Sequence, residues 1–259
     1  MKITLLGAGN VGTHLAIALH KAGFVLHQIY SRNAQLLPPL SHLCQAGTCS
    51  NLSALLPNSD IYLIAISDNA IASFAQQLHL PPTAIVAHTS GSMPMSALAG
   101  IAKHGIFYPL QTFSPNKSVN WATIPLLIQG SDPDTTQTLS QIAAQLSPHI
   151  YCLTDEQRTV IHLAAVLVNN FSNHLMTIAH DILQQHQLPF DILKPLILET
   201  AQKVQTQLPQ QVQTGPAKRG DTQTINKHLQ LLQTMPNDIQ QLYRDMTQLI
   251  SNYHQKNKE

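Results

Sequence analysis

The chain has 259 residues, enough for one large domain or two ordinary ones around a sizeable core. Apolar residues make up 44% and charged residues 10%, with a net charge of +1, so there is no electrostatic footprint for nucleic acid or an anionic membrane and the expected partner is a small molecule. Three cysteines, Cys44, Cys49 and Cys152, form no CxxC pair and are odd in number, which argues against a disulfide framework and fits a reducing cytoplasm.

The chain opens on a short apolar run, Ile3 to Leu6, which stops at Gly7 and so falls short of a signal-peptide core. No later run reaches membrane-spanning length. Gly7-Ala8-Gly9-Asn10-Val11-Gly12 follows this strand and leads into an apolar-periodic helix, Val11 to Lys21. In that context the spacing points to a dinucleotide. Gly7 permits the turn, Gly9 removes the side chain where backbone must approach pyrophosphate, and Gly12 lets helix and strand pack closely. The N–H groups of Asn10 and Val11, at the helix N-terminus, face the anion.

Gly23 closes the helix and Val25 to Tyr30 reads as the second strand. Many NAD-binding folds place an acidic residue at the end of this strand, where the present chain has Ser31-Arg32-Asn33. A cation and a hydroxyl suit a 2′-phosphate, so NADP is the expected cofactor; a solvated loop arginine is the alternative. Pro38-Pro39 reads as a loop before a helix near Ser41, followed by a short strand at Gly47 to Cys49. His42, Cys44 and Cys49 lack a fourth ligand at zinc spacing, so no metal is expected.

Ile61 to Ile66 is a continuous apolar run suited to a parallel strand buried on both faces. It ends in Ser67-Asp68, which the strand-end rule places beside the cofactor; Asp68 also suits the cap of a helix from Ala70 to Leu78. Ala84 to Ala87 runs into His88-Thr89-Ser90-Gly91-Ser92, where His88 and Ser90 are candidates to line the nicotinamide end and a polar helix-capping turn is the alternative. Strands at Gly105 to Phe107 and Ile124 to Ile128, a helix from Pro133 to Leu146 and a strand at His149 to Cys152 complete the alternating part.

Thr154-Asp155-Glu156-Gln157 is a capping box, and no Gly or Pro follows until Pro189, which predicts one helix of roughly 33 residues, about 50 Å long. Further helices are expected over Ile192–Gln207, Thr222–Leu232 and Asp238–His254. The predicted domains are therefore an NADP-binding Rossmann domain at 1–153 and an all-helical substrate and dimerisation domain at 154–259.

This ground plan resembles the 6-phosphogluconate dehydrogenase-like superfamily, with pyrroline-5-carboxylate reductase and the deazaflavin-dependent NADP reductases as relatives. It is most similar to the Rossmann-like family whose C-terminal half is domain of unknown function 2520. Gly7 to Gly12, His88 to Ser92, Tyr108-Pro109-Leu110-Gln111-Thr112-Phe113, His162 to Phe171, and Thr214 to Asp221 with His228-Leu229 carry the resemblance. It implies an α/β fold with a Rossmann sheet and an all-α second domain, NADP binding, and a homodimer through the helical domain; it supplies no substrate.

On an uninterrupted α-helix His162, Asn169, Asn173 and His180 fall within roughly 20° of one line. One reading faces this line toward the cleft between the domains, with His162 moving a proton and Asn169 or Asn170 orienting a carbonyl or imine; a hydrogen-bonded dimer seam, or the solvated side of an ordinary helix, is the alternative. Lys218 and Arg219, between a Gly-Pro turn and a Gly-Asp cap, suit an anionic substrate or a solvated basic loop. Two functions follow from these residues: an NADP-dependent oxidoreductase acting on a small anionic metabolite, or a non-catalytic NADP-binding sensor or subunit.

Overall fold

The computed structural model describes residues 1–115 and 117–256. They form two compact units, Met1–Val166 and Leu167 onward. The first is built on an eight-stranded sheet of order β3-β2-β1-β4-β5-β6-β7-β8. Its strands are β1 (Lys2–Leu6), β2 (Val25–Tyr30), β3 (Gly47–Cys49), β4 (Ile61–Ile64), β5 (Ile85–His88), β6 (Lys103–Pro109), β7 (Leu126–Gly130) and β8 (Ile150–Cys152). The six strands from β1 to β6 are parallel; β7 runs antiparallel to β6, and β8 is parallel to β7. The parallel sheet expected from the sequence thus ends in a reversed pair. The reason is local: the described residues between β6 and β7 form no α-helical crossover, and adjacent strands joined without one pair antiparallel.

Side-chain alternation sorts the core into two clusters. Ile3, Leu5, Ile61, Leu63 and Ala87 belong to one, and Leu6, Tyr62, Ile64 and Val86 to the other. In β2 the alternation breaks, since Leu26 and Ile29 share a cluster. A register shift explains this: Ile3 pairs with Leu26 but Thr4 pairs with Gln28, so His27 is an extra residue in the ladder. Cys44 and Cys49 fall in different clusters, and burial raises both thiol pKa values.

The helices of this unit are α1 (Asn10–Lys21), α2 (Leu37–Cys44), α3 (Ile71–Ala75), α4 (Pro133–Ala144) and α5 (Asp155–Ala165). α1 ends in a Schellman motif, with Gly23 N–H bonded to His20 O at 3.0 Å, Phe24 N–H to Leu19 O at 3.0 Å, and Gly23 at φ 87°. Pro38 and Pro39, expected in a loop, instead occupy the first turn of α2, where a missing N–H costs no helical bond. The capping box of α5 forms in both halves, through Gln157 N to Thr154 Oγ1 and Thr154 N to Gln157 Oε1.

The expected single helix to Pro189 is interrupted. After α5, Val166–Phe171 is a π-helix, and α6 follows over Ser172–Gln185. A π-helix carries more residues per turn than an α-helix, so the line computed for His162, Asn169, Asn173 and His180 at α-helical spacing does not hold across it. The second unit then contains α7 (Lys194–Lys203), α8 (Pro209–Val212), α9 (Pro216–Arg219), α10 (Thr222–Leu231) and α11 (Asn237–Lys256). Asp221 caps α10 through Thr224 N at 3.0 Å and Thr224 Oγ1 at 2.8 Å. Among the described residues no helix is long and apolar enough to cross a membrane.

The three glycines of the first loop are used differently. A Cβ on Gly7, already at φ 122°, would overlap the Ala65 carbonyl, and one on Gly12 would overlap the Gly7 carbonyl, whereas a Cβ on Gly9 would meet nothing within 4 Å. Gly12→Ala should therefore lower stability by about 1–3 kcal/mol, while Gly9→Ala should stay within about 0.5 kcal/mol. Chemical denaturation of the two variants checks this, and equal losses would show that the close approach of α1 to β4 is not what holds the loop.

Candidate functional site

A cavity of about 690 Å³ opens over the carboxyl ends of β1, β2 and β4, within the size range of ligand sites. Of the residues expected to bind a cofactor, Gly7, Gly9, Asn10, Val11, Ser31, Arg32, Ser67 and Asp68 line it; Thr89, Phe74 and Gln77 join them. Gly12 lies behind the loop as a packing residue. Gly9 is the N-cap of α1 and no side chain caps it, so the first-turn N–H groups are left for an incoming anion. The open space at Gly9, the uncapped helix start and the small residues of the loop together fit a dinucleotide pyrophosphate.

At the β2 end, Ser31 Oγ accepts from Asn33 N at 3.2 Å and Asn33 Oδ1 accepts from Gln35 N at 3.1 Å, which shapes the turn that presents exposed Arg32 to the cavity. Asn10 lines the cavity and also donates from Nδ2 to Phe113 O at 3.2 Å. His14 reaches Ser114 O at 3.0 Å and its ring lies 5.2 Å from that of Phe113. The long connection from β6 to β7 is thereby tied to the start of α1.

His88 and Ser90 do not line the cavity. His88 is fully buried; its Nδ1 accepts from Ser90 N at 3.2 Å, which places the proton on Nε2, 3.3 Å from Pro94 O. Burial lowers its pKa to about 4 despite the Pro94 carbonyl, with Arg158 adding to the depression and Asp68 and Asp155 opposing it. Ser90 Oγ accepts from Ser92 N at 3.2 Å and Met93 N at 3.0 Å. Both side chains are thus spent on folding the loop after β5. Asp68 does not cap a helix: it accepts from Ser92 Oγ at 2.6 Å and so joins that loop to the end of β4.

His162, near the end of α5, meets a partner from β6. Tyr108 Oη lies 3.2 Å from His162 Nδ1, with the rings edge to face at 6.1 Å between centroids. Gly91 admits the pair, because a Cβ there would stand 2.5 Å from His162 Nδ1 and 2.7 Å from Tyr108 Cζ. Burial raises the Tyr108 pKa, Asp68 raises it further and Arg158 opposes, so the phenol stays protonated at neutral pH. Tyr108 was visible in the sequence only as part of the Tyr108 to Phe113 motif; its contact with His162 was not readable from that motif.

The approach of α5 is fixed by Arg158, which is 1% exposed. Its Nη1 donates to Gln129 Oε1 at 3.0 Å and Asp155 Oδ1 at 2.8 Å, and its Nη2 donates to Met93 O. Asp155 also accepts from Met95 N at 3.1 and 3.0 Å.

Asn169 and Asn170 lie exposed in the π-helix. In the helical unit, Lys218 and Arg219 lie in the single turn α9 between Gly215 at φ 105° and Gly220 at φ 70°. Lys218 Nζ donates to Gln213 O at 2.7 Å; Arg219 is 64% exposed and 3.9 Å from Asp221. His228 Nδ1 pairs with Tyr243 Oη at 2.7 Å, linking α10 to α11.

Residues 1–113 match the model of a Rossmann-like domain, and 124–250 match that of a domain of unknown function, DUF2520. A "putative NADP oxidoreductase" from Bacteroides fragilis, solved by crystallography, is 38% identical, with 97% of this chain and 98% of that one covered and a TM-score of 0.91. The chain belongs to the Rossmann-like DUF2520 family. A protein from Thermotoga maritima is 19% identical over 99% of this chain and 100% of that one, with a TM-score of 0.78. A reductive aminase from Aspergillus terreus, in complex with NADPH and ethyl levulinate, is 17% identical over 97% and 94%, with a TM-score of 0.71. Among curated proteins none matches in sequence. The fold is therefore shared with proteins of low sequence identity, among them a reductive aminase.

Burial of His88 has a consequence for pH dependence. Below its ordinary pKa of 6.5 the unfolded chain binds a proton that the folded chain refuses until about pH 4. The stabilisation from this site is therefore present above pH 6.5 and is lost as pH falls toward 4. His88→Gln should lose less thermal stability than wild type across that window; parallel melting curves would assign the acid sensitivity elsewhere.

Proposed function

We propose that this protein is an NADP(H)-dependent oxidoreductase that reduces a carbonyl or imine carbon in a small molecule. The observation that carries the reading is the Tyr108–His162 pair, 3.2 Å apart, held beside the loop that follows β5. A cofactor bound at the cavity would supply a hydride to the electrophilic carbon of the substrate. The chain's part is the proton: Tyr108 Oη, kept protonated by its surroundings, donates to the substrate oxygen or nitrogen, and His162 returns a proton to the phenol from solvent. The name of the Bacteroides relative and the NADPH complex of the reductive aminase support this reading.

NADP is proposed over NAD because Arg32 and the Ser31 hydroxyl stand where an acidic residue would bind an unmodified ribose. The helical unit exposes Leu167, Val168, Phe171, Ile192, Leu196 and Leu249, and we infer that a second copy of the chain covers this apolar surface.

Two measurements test the proposal. In calorimetric titrations NADP(H) should bind more tightly than NAD(H), and Arg32→Asp should reverse the order; equal binding of both by wild type would overturn the choice of cofactor. In a screen of small ketones, aldehydes and cyclic imines followed by NADPH absorbance, Tyr108→Phe and His162→Ala should each lower kcat by about 10²-fold with little change in NADPH affinity. Unchanged turnover in both variants would remove the pair from the chemistry, and NADPH binding without turnover of any compound would favour a sensor over an enzyme.

A further inference from the structure

Among the described residues only two charged side chains line the cavity, Arg32 and Asp68. The strand order separates them. Arg32 follows β2 and Asp68 follows β4, and these strands flank β1 on its two sides. A dinucleotide laid across the glycine loop with its phosphate-bearing adenosine over β2 has its nicotinamide half on the Asp68 side.

The carboxylate there is fixed and, among the described residues, forms no ion pair. Ser92 Oγ donates to Asp68 Oδ2 at 2.6 Å, which holds one oxygen in place. The nearby Arg158 is buried and already paired with Asp155 at 2.8 Å, and buried His88 is neutral at physiological pH. The negative charge also reaches Tyr108, where it helps keep the phenol protonated.

We propose that Asp68 makes the pocket discriminate between the two oxidation states of the dinucleotide, favouring the oxidised form, whose nicotinamide ring is a cation, over the neutral reduced form. The proposal rests on reading the cavity as an NADP(H) site. A fixed carboxylate attracts a cationic ring and gains nothing comparable from a neutral one. A ligand state is favoured only by its differential affinity, so the same charge makes loss of hydride from the bound cofactor easier. Asp68 thereby acts twice at one site, once on the ring that gives up the hydride and once on the tyrosine that gives up the proton.

The test is a pair of calorimetric titrations, with NADP⁺ and with NADPH, on wild type, Asp68→Asn and Asp68→Glu. Asparagine keeps an acceptor for Ser92 and removes the charge. It should weaken NADP⁺ by about fivefold, as expected for one partly exposed ion pair, and leave NADPH within about twofold. Asp68→Glu should retain most of the preference. Equal weakening of both forms in Asp68→Asn would show that the carboxylate holds a part common to both, such as the ribose hydroxyls, and would overturn the proposal. So would an unchanged ratio. Failure of wild type to bind either form would instead overturn the dinucleotide reading itself, and this proposal with it.

Discussion

The guanidinium of Arg158 holds together parts of the first unit that are far apart in sequence. From a position 1% exposed it bonds β7 through Gln129, the loop after β5 through Met93, and its own helix through Asp155. Asp155 then takes the Met95 amide as well, so the start of α5 and the loop from His88 to Met95 are one hydrogen-bonded body. A buried charge is costly unless paired and bonded, and removing one partner strands the other. Here Nε alone lacks a partner among the described residues. The arrangement is therefore intolerant of substitution, and what it supports is the placing of His162 against Tyr108 one turn further along the helix.

The glycine loop solves a different problem. Gly7 and Gly12 bring α1 against β1 and β4 so closely that neither accepts a Cβ, and the result is an uncapped helix start aimed into an open cavity. Gly9 contributes nothing to that packing, which is consistent with a place kept clear for a ligand. The Arg158 cluster and the glycine loop meet through Asp68, which lines the cavity and accepts from Ser92 of the clamped loop.

Much of this was legible in the sequence because it depends on local rules. The strands β1, β2 and β4 showed as apolar runs, the loop between β1 and α1 as a glycine pattern, and the start of α5 as a capping box. The misreadings arose where the outcome depends on what lies opposite. Pro38-Pro39 suits a loop or a first helical turn equally until the neighbouring backbone is known. The π-helix at Val166–Phe171 carries no glycine or proline to announce it. His88 and Ser90 looked like ligand-facing groups because polar residues at a strand end usually face outward; only the closed packing of this loop shows His88 turned toward the Ser90 amide and Pro94 O, and Ser90 Oγ toward the amides of Ser92 and Met93. Tyr108, which follows the expected strand Gly105 to Phe107, showed no partner in the sequence because His162 lies 54 residues further along, on another element.

The reversal of β7 and β8 decides which way α5 travels. Leu126 pairs with Pro109 at the carboxyl end of β6, so β7 and, beside it, β8 run away from the cavity side of the sheet. The helix that follows β8 must start at the far edge and climb back. Its residues record the climb: Arg158 is level with Gln129, which pairs with Ile106, and His162 is level with Tyr108, two residues nearer the cavity. In an all-parallel sheet the same helix would have started at the ligand edge and carried its histidine away from it. A change of strand direction at the sheet's margin is thus what lets a residue late in the first unit arrive beside Tyr108, near the carboxyl end of β6.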